Sequence, residues 1–151
     1  MRTIINNESF IKKGFEISTN KLLLDRDMIC QYLAKESYWS RHIPFEKVNS
    51  SIDNSMCFGL YKDGCQLGFA RVITDKATFA YLCDVFVLKK FRGQGLSKWL
   101  VQTIIEYPEL QGLKRWLLAT ADAHSLYNQF GFTPINSPER WMGIYTPYEK
   151  E

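Results

Sequence analysis

The sequence has no apolar run approaching the ~18 residues that a membrane-spanning helix needs, and its opening stretch, MRTIINNESFIKKGF, is polar and lacks the apolar core of an export signal. No membrane partner is expected, and the predicted location is cytoplasmic. Histidine is scarce, with only His42 and His124, and neither has the company of other metal-ligating side chains. No metal is expected, and no Ser-His-Asp arrangement is recognisable. The four cysteines, Cys30, Cys57, Cys65 and Cys83, form no CxxC pair and sit among apolar residues. That pattern predicts reduced, buried thiols rather than disulfides or a metal site. Charge of one sign is also lacking: 19 Lys and Arg against 16 Asp and Glu leave a net +3. The only local cluster is Lys89, Lys90, Arg92 and Lys98, too small for a nucleic-acid-binding face but suited to a small polyanion. No repeat, low-complexity tract or interdomain linker is visible.

What is present suits one domain across residues 1–151: a 46% hydrophobic chain, long enough to bury one sizeable core. Gly14 to Ser18 reads as a first strand. Asp25 is placed to cap a helix running to about Ser37, with Met28, Ile29, Tyr32 and Leu33 as its apolar stripe. Pro44 opens a second short helix with Phe45, Val48 and Ile52 to one side. Met56–Tyr61 and Gln66–Ile73 read as strands joined at Asp63-Gly64, a turn pair that tolerates positive φ at both positions. The long run from Thr78 to Leu88 is apolar on both faces, which predicts a central strand. A helix carrying Leu96, Trp99, Leu100, Thr103 and Ile104 follows, ended by Pro108. Arg115–Ala119 reads as a short strand, and strand–helix–strand in this order implies a right-handed parallel crossover. Asp122 is expected to cap a last helix, Ala123 to Phe130, closed by Gly131. From Phe132 onward one or two further strands are expected, with Trp141, Met142, Ile144 and Tyr145 available for the sheet. The element order predicts an α+β fold that combines an antiparallel meander with one parallel crossover.

The most informative stretch lies between the central strand and the helix that follows it: Arg92-Gly93-Gln94-Gly95-Leu96-Ser97. Glycines let main-chain N–H groups turn inward and approach an anion closely. A helix start adds unsatisfied donors and partial positive charge. The alternative is a tight turn with solvated basic residues. A dinucleotide-binding fingerprint fits poorly, because Lys98 stands where a third glycine belongs, and no GK[ST] triplet supports a Walker-type loop.

Here the chain resembles the GNAT superfamily of N-acetyltransferases. Their pyrophosphate loop reads Arg/Gln-x-x-Gly-x-Gly/Ala, matched by Arg92-x-x-Gly95-x-Ser97, with Ser97 departing from the usual small pair. A second block, Leu126-Tyr127 through Gly131-Phe132, resembles the family's late helix. The resemblance covers about Met56 to Phe132. It implies a mixed, mostly antiparallel sheet of about six to seven strands flanked by four helices, the β-α-β crossover carrying the pyrophosphate loop. It implies acetyl-coenzyme A as cofactor and acetyl transfer to an amine by direct attack. The coenzyme would be held by Val85, Phe86, Val87, Arg92, Gly93, Gln94, Gly95, Leu96, Ser97, Lys98 and Tyr127, with the amide near Val87 binding the thioester carbonyl.

Two side chains are catalytic candidates. Asp84, the one carboxylate in the central strand, is either a base, directly or through water, or a structural partner of an arginine such as Arg71. Tyr127 matches the family's general acid, and is alternatively a packing residue against Phe132. Trp39, Arg41, Phe79 and Tyr81 are candidates for an acceptor pocket, with core packing the competing reading for Phe79. The expected acceptor is a small-molecule amine. A peptide or protein amine, or a silent coenzyme A-binding module, are the other readings. Monomer and homodimer are both compatible with the sequence.

Overall fold

The computed structural model describes residues 6–149. Its sheet has five strands in the order β1-β2-β3-β4-β5. β1 (Phe15–Ser18), β2 (Met56–Lys62), β3 (Cys65–Thr74) and β4 (Phe79–Val87) are antiparallel neighbours. β5 (Arg115–Leu117) lies parallel to β4. The Asp63-Gly64 turn forms as its chemistry predicts: both residues have positive φ, 49° and 82°, and Lys62 faces Cys65.

The helices follow the apolar pattern closely. α2 (Arg26–Gln31) starts at Asp25, whose Oδ1 accepts from the Met28 N–H at 3.1 Å. It runs on as a π-helical turn, Tyr32–Glu36. α3 (Phe45–Asp53) buries Val48 and Ile52 completely, but its Phe45 points to solvent, against the expected stripe. α4 (Leu96–Ile105) buries Leu96, Trp99, Leu100 and Ile104. α5 (His124–Asn128) is not capped by Asp122; Ala123 holds that position, and the Thr120 hydroxyl accepts from the N–H groups of Asp122 and Ala123 instead. Its end closes as expected, with the Phe132 N–H bonded to the Tyr127 carbonyl at 3.2 Å and the two rings edge to face at 5.9 Å.

Three further findings differ from the sequence reading. First, α1 (Asn7–Lys12) was not foreseen, making five α-helices among the described residues rather than four. It is anchored by a Phe10–Trp99 ring stack at 4.8 Å and by Trp99 Nε1 donating to Asn7 Oδ1 at 2.7 Å. Second, the sheet has five strands, not six to seven, because residues 133–149 form none. Pro134 and Pro138 withhold ladder N–H groups, and Ser137 takes a left-handed φ of 54°, which excludes a regular strand across residues 134–138. Third, Cys65 at the hairpin is exposed, whereas Cys57 is buried as expected.

The sheet separates two apolar layers. Phe58, Ala70, Val72, Ala80 and Leu82 face α4 and α5. Cys57, Phe69 and Phe86 face α2 and α3. Alternation along β2–β4 therefore supplies both cores from the same strands, as for a sheet covered on both sides.

The β3–β4 turn rests on one carboxylate. Asp75 Oδ1 accepts from the N–H groups of Ala77, Thr78 and Phe79, and Oδ2 from the Thr78 hydroxyl at 2.6 Å. The Thr78 hydroxyl and these amides hold the Asp75 carboxyl well below the usual carboxylate range. A depressed carboxyl stabilises the fold above its unfolded value of ~3.9 and loses that contribution as pH falls. Asp75→Ala should therefore lower Tm at neutral pH, and the gap to wild type should begin to narrow as pH falls below ~3.9 and close only as it falls through the depressed native value. Melting curves across pH check this; a gap that is constant with pH would assign the turn's stability to other groups.

Candidate active site

The site is built on an irregularity in β4. Between the pairs Phe69–Phe86 and Arg71–Cys83, β3 contributes only Ala70, while β4 contributes both Asp84 and Val85. This is a β-bulge, and Asp84 takes the extra position at a left-handed φ of 53°. A non-glycine residue there stores backbone strain, which tertiary contacts must offset. Those contacts are present. Arg71 Nε donates to Asp84 Oδ2 at 2.9 Å, and Trp39 Nε1 donates to Oδ1 at 2.9 Å. Asp84 is 7% exposed. The bulge turns Asp84 toward the α2–α3 side with Arg71 and Trp39, while the next residue, Val85, packs toward α4.

The neighbouring ionisable groups respond to this placement. Burial works against the Arg71 charge, but the nearby Cys83 and Asp84 outweigh it and raise the guanidinium pKa further. Burial, with the Asp84 charge behind it, pushes the Cys83 thiol up to about 12. Cys83 is thus a protonated thiol at neutral pH and a poor nucleophile.

β4 and β5 stay paired for only three residues. The register Phe79–Arg115, Ala80–Trp116, Tyr81–Leu117 ends there, although β4 continues to Val87. Beyond Tyr81 the two strands diverge, and β4 presents an edge on the side that β5 has left. Of the residues on this edge, Phe86 is buried and stacks on Tyr32 at 3.9 Å, Val87 is buried beside α1 and α4, and Val85 is half-buried.

This edge leads into the glycine loop. Gly93 and Gly95 both have φ of 83°, a conformation that side chains rarely adopt. A Cβ at Gly93 would meet nothing within 4 Å, and one at Gly95 only the Phe10 ring at 3.6 Å. Gly95 is the N-cap of α4, and no side chain caps the helix, so its first N–H groups are left to an external acceptor. An open, glycine-lined helix start fits a diphosphate. Ser97 and Lys98 lie half-buried in its first turn. The Gln94 side chain donates back to the Phe91 carbonyl at 3.1 Å. Arg92 is engaged within the protein: Nε donates to the Val87 carbonyl and Nη2 to the Tyr32 hydroxyl, both at 2.9 Å. It braces the loop against α2 as well as carrying charge.

Tyr127 is buried on α5, and burial, followed by the proximity of Tyr38, Asp122 and Cys83, pushes its phenol up to about 12. Its neighbours thus come from β4 and from the loops on either side of the divergence. Trp39 touches Asp84 directly, and Phe79 and Tyr81 are half-buried on β4. Arg41 is exposed and is not drawn into the Asp84 network. A groove of about 700 Å³ runs along the outer side of β5, with Tyr127 and His124 in its wall but not Asp84. A recess of about 470 Å³ lies between Asp25, Asp27, Tyr32 and Leu88.

Sequence reasoning missed two participants. Tyr32 lies in the core as its place in the apolar stripe predicts, and its hydroxyl is in addition the partner of Arg92. Tyr38 was unassigned, yet its hydroxyl accepts the Ala121 N–H at 2.8 Å and joins the loop after α2 to the loop before α5. Both partners are far away in sequence, and no local pattern announces them. Among the described residues no cluster of His, Cys, Asp or Glu is able to hold a metal, and no helix is long and apolar enough to cross a membrane.

Comparison with known proteins agrees with this geometry. Residues 26–132 match the profile of the acetyltransferase (GNAT) family. An uncharacterized N-acetyltransferase from Gracilaria tenuistipitata var. liui is 30% identical over 129 residues, covering 82% of this chain and 67% of that one. The crystal structure of a GNAT-family protein from Xanthomonas campestris pv. campestris is 48% identical, with a TM-score of 0.87 over 89% of this chain and 94% of that one. A GNAT-family acetyltransferase from Elizabethkingia anophelis, solved with acetyl-CoA bound, shares the fold at 16% identity and a TM-score of 0.60, over 82% of this chain and 78% of that one. The bulged fourth strand, its divergence from the fifth and the glycine loop behind them are thus features of a chain that belongs to the GNAT family of acetyltransferases.

Proposed function

We propose that this protein is an acetyl-coenzyme A-dependent N-acetyltransferase, a single domain that acetylates an amine of a small molecule by direct attack within a ternary complex. The observation that carries the reading is the run of β4 from its divergence at Tyr81 to the uncapped start of α4 at Gly95. An extended chain ending in a diphosphate fits both halves of that path, and its thioester supplies the acetyl group.

The roles follow from the chemistry of each group. Main-chain groups of Val85, Phe86 and Val87 take up hydrogen bonds along the vacated edge, with a donor near Val87 for the developing oxyanion. Gly93, Gln94, Gly95, Leu96, Ser97 and Lys98 supply amides and positive charge to the diphosphate, and Arg92 holds the loop in shape. Tyr127 stays protonated through neutral pH and offers its O–H to the departing sulfur. A phenol near 12 is a much weaker acid than a thiol of ~8.5. Full proton transfer is therefore uphill, and Tyr127 contributes mainly as a hydrogen-bond donor to the thiolate.

Asp84 accepts one bond from the protein at each oxygen. That arrangement favours proton uptake from the ammonium through an intervening water over direct contact. The raised Cys83 thiol argues against an acyl-cysteine relay and supports direct attack. Trp39, Phe79 and Tyr81 are proposed to face the acceptor, with Arg41 at its margin.

Three substitutions test the assignment. Gly95→Asp introduces both an unfavourable φ and a negative charge. It should weaken coenzyme A binding by at least ~10-fold, measured by calorimetry; unchanged affinity would refute the cradle. Tyr127→Phe should lower kcat by roughly 10²-fold with little change in coenzyme affinity, and an equal loss of both would leave the tyrosine a packing role only. Asp84→Asn should displace the acidic limb of the kcat/KM profile. A folded variant with the wild-type profile would exclude Asp84 from proton transfer. Turnover across an amine panel, peptides included, tests the acceptor class: tight coenzyme binding with no transfer to any amine would identify a silent module.

A further inference from the structure

The contacts that hold the bulge use only part of Arg71. Its side chain is 15% exposed, so most of it is withdrawn from water. Nε donates to Asp84 Oδ2 at 2.9 Å, and this is the one hydrogen bond of the guanidinium among the described residues. Nη1 and Nη2, the two prongs of the fork, therefore have no protein acceptor. They are not sealed in either, because the Tyr61 hydroxyl is the one fully buried, partnerless polar side-chain atom among the described residues. The fork opens onto space that solvent or a ligand can reach. Leaving charged donors unmet in a largely dry setting is costly unless something accepts from them.

The fork also stands beside the proposed acceptor residues. In the ladder Arg71 faces Cys57 on β2 and Cys83 on β4, so the three share one face of the sheet. That face is packed by α2 and α3 at Cys57 and Phe69. Further along β3 and β4 the cover stops: Cys83 and Tyr81 are half-buried, and Ile73 is 43% exposed. Arg71, Ile73, Tyr81 and Cys83 thus make a bare shelf, which ends where Trp39 meets Asp84.

We propose that the Arg71 fork binds a carboxylate of the acceptor, and that the acceptor is an α-amino acid acetylated at its amino group. This assignment rests on the acetyltransferase reading of the same site. A guanidinium fork and a carboxylate match in two parallel bonds. Asp84 is bonded to the Nε of the same guanidinium, so a positive and a negative group stand side by side. An α-amino acid carries the complementary pair on one carbon. With its carboxylate on Nη1 and Nη2, its ammonium falls toward Asp84. Charge selects among anions. The Arg71–Asp84 pair is neutral, so a bound zwitterion keeps the site neutral. A phosphate dianion would instead put excess negative charge beside a buried carboxylate. Ile73 and Tyr81 suit an apolar side chain on the acceptor.

The transfer balances. The ammonium gives one proton to the water on Asp84, and the amine attacks the thioester carbonyl. The C–N bond forms, the C–S bond breaks, and the proton shed by the new amide nitrogen ends on the departing sulfur. The products are the N-acetylamino acid, coenzyme A and one proton.

Calorimetry on the coenzyme A-loaded protein, with the common α-amino acids as probes, tests the site without requiring turnover. At least one should bind. Its amide and its decarboxylated amine keep the ammonium and lose the carboxylate. Both should bind at least ~10-fold more weakly, and kcat/KM for acetyl transfer should show the same gap. Arg71→Lys keeps the charge and loses the fork. It should lower kcat/KM for the amino acid at least ~10-fold more than for the decarboxylated amine. An equal loss on both substrates would make the arginine structural and overturn the proposal; should the variant not fold, the wild-type comparison decides alone. Failure of every amino acid to bind would also overturn it, as would a preference for a phosphorylated amine. Acetyl transfer that ignores the carboxylate would uphold the acetyltransferase reading and overturn this one. Carboxylate-dependent binding without transfer would uphold the Arg71 site and count against the acetyltransferase reading.

Discussion

The arrangement depends on one residue held where residues of its kind rarely stand. Asp84 occupies a left-handed conformation in the middle of a buried strand, and it stays there because its carboxylate is clamped by a guanidinium from β3 and an indole from the loop after the π-helical turn. The extra residue shifts the alternation of β4, so that Leu82 and Val85 serve the α4 layer while Phe86 serves the α2–α3 layer. A regular strand would have sent Phe86 to the opposite side. The stack of Phe86 on Tyr32, and through Tyr32 the bond to Arg92, follows from that shift.

A continuous chain of contacts therefore joins the two halves of the cleft. From the acceptor side it runs through Trp39 to Asp84 and Arg71. From the coenzyme side it runs through the glycine loop to Arg92, then Tyr32 and Phe86. Both arms end on β4 within a few residues of each other. α1 supports the loop from behind, because Phe10 fills the space against Trp99 and comes within contact of the position a Gly95 side chain would take. Buried ion pairs contribute more to defining a geometry than to net stability, and the Arg71–Asp84 pair fits that pattern by fixing where the strand bends.

Much of this was legible wherever a local rule governed. Asp63-Gly64 specified its hairpin, Gly131 and Phe132 specified the helix end, and the glycine loop specified the helix start. The bulge was not legible, since a left-handed aspartate gives no sign in the sequence and depends on partners 13 and 45 residues away. The hexapeptide α1 is too short to show a period, and its stability comes from Trp99, far along the chain. Asp122 lost its capping role because the Thr120 hydroxyl takes the N–H groups of Asp122 and Ala123 and the helix starts one residue later, behind Ala123. The final strands were expected from composition, yet Pro134, Ser137 and Pro138 interrupt the stretch that would bring the chain back beside β5.

The Tyr38 hydroxyl and the Ala121 N–H tie two loops together with a single exposed, neutral hydrogen bond. Such a bond is worth only ~0.5–1.5 kcal/mol, little more than thermal energy. Neither flanking helix must unwind for it to part. The Tyr38 side chain can therefore swing away from Ala121 on a rotamer timescale, while Trp39 keeps the loop beside it fastened to Asp84. Ligand entry and departure can then proceed while the core beneath stays intact.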